Sequence, residues 1–245
     1  MDYPQLCRLR DELLRKKNQI PKAAFESFDK SFDIEYAHNS TAIEGNTLSL
    51  IETKAVLEDN LSVGGKSLRE IYEVVNHDKA FSYVKKCIAD GKPLDENTVK
   101  DIHAVLMENI LAGGVYRNVA VRITGAAHKP PAPSEMYSQV KGFFAALPAK
   151  HAEMNAVQLA AYTHAEFVKI HPFEDGNGRT SRLIMNYQLM ANRFLPVSIA
   201  KENRLNYFNA LEEYATNGNL QPFTEMIAAL ESVKLKDYLT LAPPG

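Results

Sequence analysis

An all-α architecture, mainly helical with one short β-hairpin flap, is what this sequence predicts, on three observations. Apolar residues recur at helical spacing almost throughout, as in Leu68, Ile71, Tyr72 and Val75, or Val157, Ala160, Ala161, His164, Phe167 and Val168. One stretch alone alternates with a period of two. Glycine and proline then punctuate the chain at Gly64-Gly65, Gly91-Lys92-Pro93, Gly113-Gly114, Pro130 to Pro133 and Asn217-Gly218-Asn219, which divides it into about eight to ten helices.

Taken in order, residues 1–95 read as an N-terminal helical region without a catalytic cluster. The period-two stretch is Asn118 to Gly125, where Val119, Val121 and Ile123 alternate with other residues as a strand does. Gly125 turns the chain, and the three prolines before residue 134 cannot donate to a ladder, so the returning arm is an irregular edge and 119–128 form a small flap. Periodicity from about Ala156 reaches His171, where Pro172 disfavours αR geometry and ends the helix. Gly176-Asn177-Gly178 then opens an apolar helical run through Leu183, Ile184, Tyr187 and Met190. Residues 216–245 supply a last helix and a tail, Leu241 to Gly245, expected to fray. No internal repeat is visible.

With 245 residues, 45% of them hydrophobic, the chain can bury a substantial core as one large domain or a domain with a helical extension. A formal charge of −2 and a pI near 6.4 leave no basic footprint, which argues against nucleic acid or anionic lipid as partners. Cys7 and Cys87 match neither a metal pattern nor a disulfide framework and suit a reducing compartment. The N-terminus is charged, with no signal-like or membrane-spanning apolar run, so a cytoplasmic location is expected.

Chemistry concentrates in His171-Pro172-Phe173-Glu174-Asp175-Gly176-Asn177-Gly178-Arg179-Thr180-Ser181-Arg182. His171, left at a helix-loop junction, titrates near neutrality and suits a general base. Gly176, Asn177 and Gly178 deliver backbone N–H groups at a helix N-terminus, a ready anion cradle, and the Asn177 amide is a further donor. Arg179 and Arg182, three apart at that same helix start, oppose the dipole, a conflict that bound polyphosphate relieves. Asp175 is the one carboxylate beside the cradle in the manner of a Mg²⁺ ligand. Each piece alone has a plainer reading: a loop histidine, a turn before a helix, solvated arginines, a turn aspartate.

Together they resemble the HPFx[DE]GNGRxxR signature of the Fic (Fic/Doc) family, with every fixed position filled. The resemblance implies a Fic fold with its catalytic core over 96–215, and transfer of AMP from ATP, with Mg²⁺ or Mn²⁺, to a Ser, Thr or Tyr hydroxyl of a protein, self-modification included. It implies that His171 deprotonates the hydroxyl, that Asn177 holds the transferred phosphate, and that Arg179 and Arg182 take the β and γ phosphates. It leaves Glu174 at a variable position and gives the metal to Asp175. A second segment, Ser40-Thr41-Ala42-Ile43-Glu44-Gly45, resembles the [ST]xxxE[GN] inhibitory motif of one class of the family and implies an inhibitory helix around 36–45. Gly45 reads as the residue after a helix end, which puts Glu44 at the negative pole of the dipole, unfavourable by roughly 0.3 to 1 kcal/mol, and so in want of a partner. In the family that partner is the last signature arginine, here Arg182. Gly114-Val115-Tyr116-Arg117 with the stretch after it looks like the family's flap, which receives the target by strand addition, and Tyr207 falls where the adenine pocket is often lined.

Three rival readings remain at this stage. Glu44 can orient a water for removal of AMP, the chain can transfer another phosphate-linked group, or it can be a silent, nucleotide-responsive peptide-binding module. Gly64-Gly65-Lys66-Ser67 fails as a P-loop because Asn60 stands where the first glycine belongs and no apolar strand precedes it. His164-x-Glu166 lacks the paired cysteines of zinc deaminase chemistry.

Overall fold

A computed structural model describes residues 2–123 and 125–243. Ten α-helices carry the described chain: α1 Tyr3–Lys16, α2 Lys22–Ile43, α3 Leu50–Glu58, α4 Leu68–Ala89, α5 Glu96–Leu106, α6 Pro133–Glu153, α7 Ala156–Ile170, α8 Asn177–Ala191, α9 Arg204–Asn217 and α10 Gln221–Leu239. Local chemistry starts them where it should. Ser49 with Glu52, Ser67 with Glu70 and Asn155 with Gln158 close reciprocal capping boxes at the heads of α3, α4 and α7. Every break expected from glycine and proline falls between helices. The break between α6 and α7 had no such mark and is made by the Asn155 cap.

The α7–α8 hairpin is the centre of the molecule, because both helices are buried on nearly every side. One apolar cluster lies on its α9–α10 side, where Leu6, Leu13, Ile43, Met185, Phe223 and Leu235 meet. The other joins α2, α4, α5 and α6 to it through Phe32, Phe81, Ile102, Val140, Phe167 and Leu183. Residues before 95 therefore share both clusters with the segment that follows, and the C-terminal turns of α2 run against α8.

Two expectations need correction. No described residue of 118–132 is in a strand. Ala126 N–H does return to Ile123 O at 3.2 Å, so a turn exists, but the carbonyls of Val119 and Pro131 at the mouth of the would-be hairpin are taken by the Arg117 side chain. Those oxygens are lost to a ladder, and the prolines have no N–H to offer. Thr124 of the expected strand lies outside the described residues. In the tail, Leu241 and Ala242 are not frayed: they cap α10 in turns and pack partly buried on the first cluster. Pro244 and Gly245 lie outside the described residues. No described helix is long and apolar enough to cross a membrane, and both cysteines are free.

Candidate active site

The site is the turn between α7 and α8 and what packs on it. α7 stops at Ile170 because His171 takes left-handed geometry, φ 53° and ψ 59°, an uncommon conformation for a side-chain-bearing residue. His171 Nδ1 lies 3.2 Å from Val168 O. A carbonyl only accepts, so Nδ1 carries the proton and Nε2 keeps its lone pair. Burial, the largest cause, lowers the pKa of His171; Arg117 adds to the drop, while the Val168 contact, Glu44 and Asp175 oppose it. The imidazole is thus neutral near neutral pH, as a general base must be.

The loop behind it is stapled shut. Asn177 Oδ1 accepts from Phe173 N at 2.9 Å and its amide donates to Phe173 O at 2.8 Å. Its side chain, expected to face the anion, instead closes this turn, and the backbone N–H groups are what it offers the cradle. Phe173 stacks on His103 at 3.5 Å with a 5° tilt. Since Gly114 N donates to His103 Nδ1 at 2.8 Å, His103 Nε2 must hold the proton and donate to Asp175 O at 2.9 Å. Gly176 sits at φ 76°, and any Cβ there would lie 2.9 Å from Met107 Sδ, so glycine is required twice over. α8 then begins with the unpaired N–H groups of its first turn pointing into the site.

Both arginines are buried rather than solvated, Arg179 at 2% and Arg182 at 1% exposure. Arg179 Nη2 donates to Asp175 Oδ1 at 3.0 Å, and its Nη1 approaches Glu73 at 3.5 Å, yet Nε and Nη1 lack hydrogen-bond acceptors. Buried cationic donors without acceptors are what an anion would satisfy. Arg182 is held by protein partners. Its Nε donates to Ser40 Oγ at 2.9 Å, Nη2 to Ser40 O at 2.7 Å and to Glu44 Oε1 at 2.8 Å, and Nη1 to Tyr207 OH at 3.2 Å. The Glu44 carboxylate also fills the cradle: a Cβ on Gly178 would lie 2.1 Å from Glu44 Oε1. An acidic group therefore lies where the helix N-terminus would hold a phosphate.

Asp175 is paired with Arg69 of α4 as well as Arg179. Burial raises its pKa, but Arg179, the Gly176 N–H and Arg69 outweigh that and hold it below the usual carboxylate range. No cluster of three or more His, Cys, Asp or Glu able to hold a metal occurs among the described residues. One ionised carboxylate beside an anion cradle still fits Mg²⁺, which takes one or two protein carboxylates and the rest of its shell from phosphates and water. Such an ion would displace Arg69 from Asp175.

Tyr207, expected to line an adenine pocket, is 1% exposed. Its hydroxyl accepts from Arg182 and lies 2.9 Å from His164 Nε2, so it braces the arginine and presents no face to a base. Sequence reasoning missed His103, Arg117, Arg69, Glu73 and His164. Arg117 was visible only as part of Gly114 to Arg117, and His103 sits in a helix whose periodicity marks it as buried; nothing in either position names the loop it holds.

Fold and site together define a helical protein whose central hairpin sets a neutral histidine beside an anion cradle backed by two buried arginines. Residues 93–189 match the model of the Fic/DOC family. The protein adenylyltransferase Fic of Aedes aegypti is 36% identical over 222 residues, 88% of this chain and 44% of that protein. That of Nematostella vectensis is 35% identical over 218 residues, 86% of this chain and 50% of that protein. Among solved structures, Fic-1 from C. elegans has a TM-score of 0.84 at 29% identity, covering 97% of this chain and 71% of that one. A Fic-domain signaling protein from Bacteroides thetaiotaomicron shares the fold over 98% of this chain and 97% of that one, with a TM-score of 0.87 at 24% identity. The chain belongs to the Fic/DOC family. It spans about half the length of the curated relatives it matches, or less.

Proposed function

We propose that this chain is a protein adenylyltransferase that moves AMP from ATP to a hydroxyl of a protein side chain and is held inactive by Glu44. The observation that carries this reading is the Glu44 carboxylate seated over Gly178 and bonded to Arg182 at 2.8 Å. An anion site filled by the protein's own carboxylate is built for an anion, and the occupant blocks it. The names of the relatives supply the nucleotide and the protein target.

In this reading His171 Nε2 removes the hydroxyl proton. Backbone N–H groups of 176–178 receive charge on the α phosphate, and Arg179, with two donors free, and Arg182, once released, hold the β and γ phosphates. Asp175 is the residue that would hold Mg²⁺ or Mn²⁺, which when bound neutralises phosphate charge. The flap around 119–128 is where the target lies, with self-modification as a special case. Residues 36–45 act as the inhibitory helix, 96–215 as the catalytic core and 216–245 as its C-terminal support. Removal of AMP is the second reading, favoured by Glu44 lying near enough to His171 to influence its titration.

The test is intact-mass analysis after incubation with ATP and Mg²⁺. Glu44→Gly should gain AMP, while the unsubstituted chain and Glu44→Gly with His171→Ala should not, the latter because loss of a general base costs on the order of 10² to 10⁴ in rate. Loss of AMP from a modified protein that requires Glu44 would instead establish the second reading, and full activity without His171 would end this mechanism.

A further inference from the structure

Arg117 is a large, fully buried cation with no carboxylate beside it. It is 1% exposed, and its guanidinium spends its donors on three backbone carbonyls: Nε to His171 O at 2.7 Å, Nη1 to Val119 O at 2.8 Å and Nη2 to Pro131 O at 2.6 Å. Its own backbone N–H adds a fourth bond, to Pro172 O at 2.9 Å. A buried guanidinium without a counter-ion is costly, and several kcal/mol is the usual order for such a charge. A neutral side chain would fill the space more cheaply. What the arginine alone supplies is a planar fork able to reach three separate carbonyls at once.

Those carbonyls are not a random set. His171 carries the base, in a left-handed turn that costs of order 1–3 kcal/mol for a non-glycine residue and persists only where its surroundings fix it. Its N–H is fixed by Phe167 O at 3.0 Å, and its carbonyl by Arg117. Val119 and Pro131 are the two ends of the flap. The flap has no ladder among the described residues, so these two bonds hold its shape together with Ala126 N–H to Ile123 O, Ala127 and His128 N–H to Glu212 Oε1, and His128 Nε2 to Lys169 O.

We propose that Arg117 is a positioning residue for AMP transfer, holding the base-bearing turn and both ends of the flap at one spacing so that a hydroxyl presented along the flap meets His171 Nε2. This rests on the adenylyltransferase reading. Arg117 touches neither nucleotide nor hydroxyl and acts through the backbone. Its charge also lies beside the imidazole, whose other charged neighbours are Glu44 from α2 and Asp175 from the loop, both acidic. It is thus the cation that offsets two carboxylates in keeping His171 unprotonated.

The experiment uses the full chain with Glu44→Gly, comparing Arg117→Lys, which keeps the charge and loses the fork, with Arg117→Gln, which loses both. Single-turnover AMP incorporation measured against ATP concentration separates the maximal rate from apparent ATP affinity, and melting curves confirm that each variant is folded. Arg117→Lys is expected to lose about 10- to 100-fold in maximal rate, the order that a displacement near 1 Å costs, with ATP affinity changed less than about twofold. In Arg117→Gln the NMR titration midpoint of His171 should also move up, while Arg117→Lys leaves it near its original place. An unchanged maximal rate in Arg117→Lys, or a loss confined to ATP affinity, overturns the proposal. The two substitutions are read independently, so an unfolded glutamine variant leaves the lysine variant to decide. If Glu44→Gly itself transfers no AMP, the activity reading has failed, and the His171 titration still reports whether Arg117 governs the base.

Discussion

Arg182 makes four hydrogen bonds in the present arrangement, and one of its partners is a phenol. Tyr207 OH accepts from Nη1 at 3.2 Å and lies 2.9 Å from His164 Nε2, while Ser181 Oγ donates to Gly178 O at 2.8 Å. Burial, with Arg182 adding to it, also keeps His164 neutral by lowering its pKa well below the ordinary value. Tyr207→Phe removes both bonds without changing the packing of the ring. It should cost about 1–2 kcal/mol of stability, since two buried groups lose a partner, and weaken ATP affinity about three- to tenfold in the Glu44→Gly chain. Thermal melts and ATP titration check this; unchanged ATP affinity would mean that the arginine needs no brace. At this scale the signature residues were legible from their types and spacing, and the Glu44 to Arg182 pairing from what the family resemblance implies. Their orientation was not: Asn177 and Tyr207 carry the right groups and aim them at protein atoms.

Elements meet at the flap stem with almost no clearance. A Cβ on Gly113 would lie 2.5 Å from the Ala104 Cα of α5, a backbone atom that cannot step aside. The next residue, Gly114, gives His103 the hydrogen bond that in turn fixes the proton donated to Asp175 O. Gly113→Ala should therefore destabilise the fold by about 1–3 kcal/mol and lower the rate of transfer more than ATP binding, because the stem it displaces holds the catalytic loop. Melting curves with single-turnover assays measure both, and an alanine variant as stable as the parent would refute the tight stem. Helices were readable from periodicity and most of their breaks from glycine and proline; the capping boxes, Asn155 at the head of α7 among them, were found only in the structure. The flap was not, since the two-residue alternation of 119–123 is a local signal, whereas ladder formation depended on which partner claimed the carbonyls of Val119 and Pro131.

Across the whole molecule, α10 closes the core through an acid with no exposed surface. Glu231 accepts from Leu195 N at 2.8 Å, and its Oε2 has no partner. Burial, set against the Leu195 bond and Lys234, pushes its pKa up to about 8 from 4.5. Between those values the folded chain holds a proton that the unfolded chain has released, so the stability tied to this group falls as pH rises through that interval. Lys234, one turn on and pushed down to about 7 by burial, contributes the opposite slope between about 7 and 10.5. Glu231→Gln keeps an oxygen for Leu195 N and removes the titration. Its melting temperature relative to the parent should rise from pH 6 to pH 8.5, and parallel curves over that range would show that Glu231 does not titrate there.

By itself, the sequence determined the helical class, the helix breaks marked by glycine and proline, and the histidine and glycine-rich cradle, while the pairing of Glu44 with Arg182 came only as what the family resemblance implies. The first three are short-range messages, carried by residues that touch along one helix or one turn, whereas Glu44 and Arg182 stand 138 residues apart. Tertiary structure alone decided which buried side chains hold that machinery in place: Arg117 across the flap, His103 under the loop, Arg69 and Glu73 around Asp175 and Arg179, His164 behind Tyr207. Those contacts join segments tens of residues apart, and a buried polar residue finds its partner only once packing has excluded water and left it one acceptor within reach.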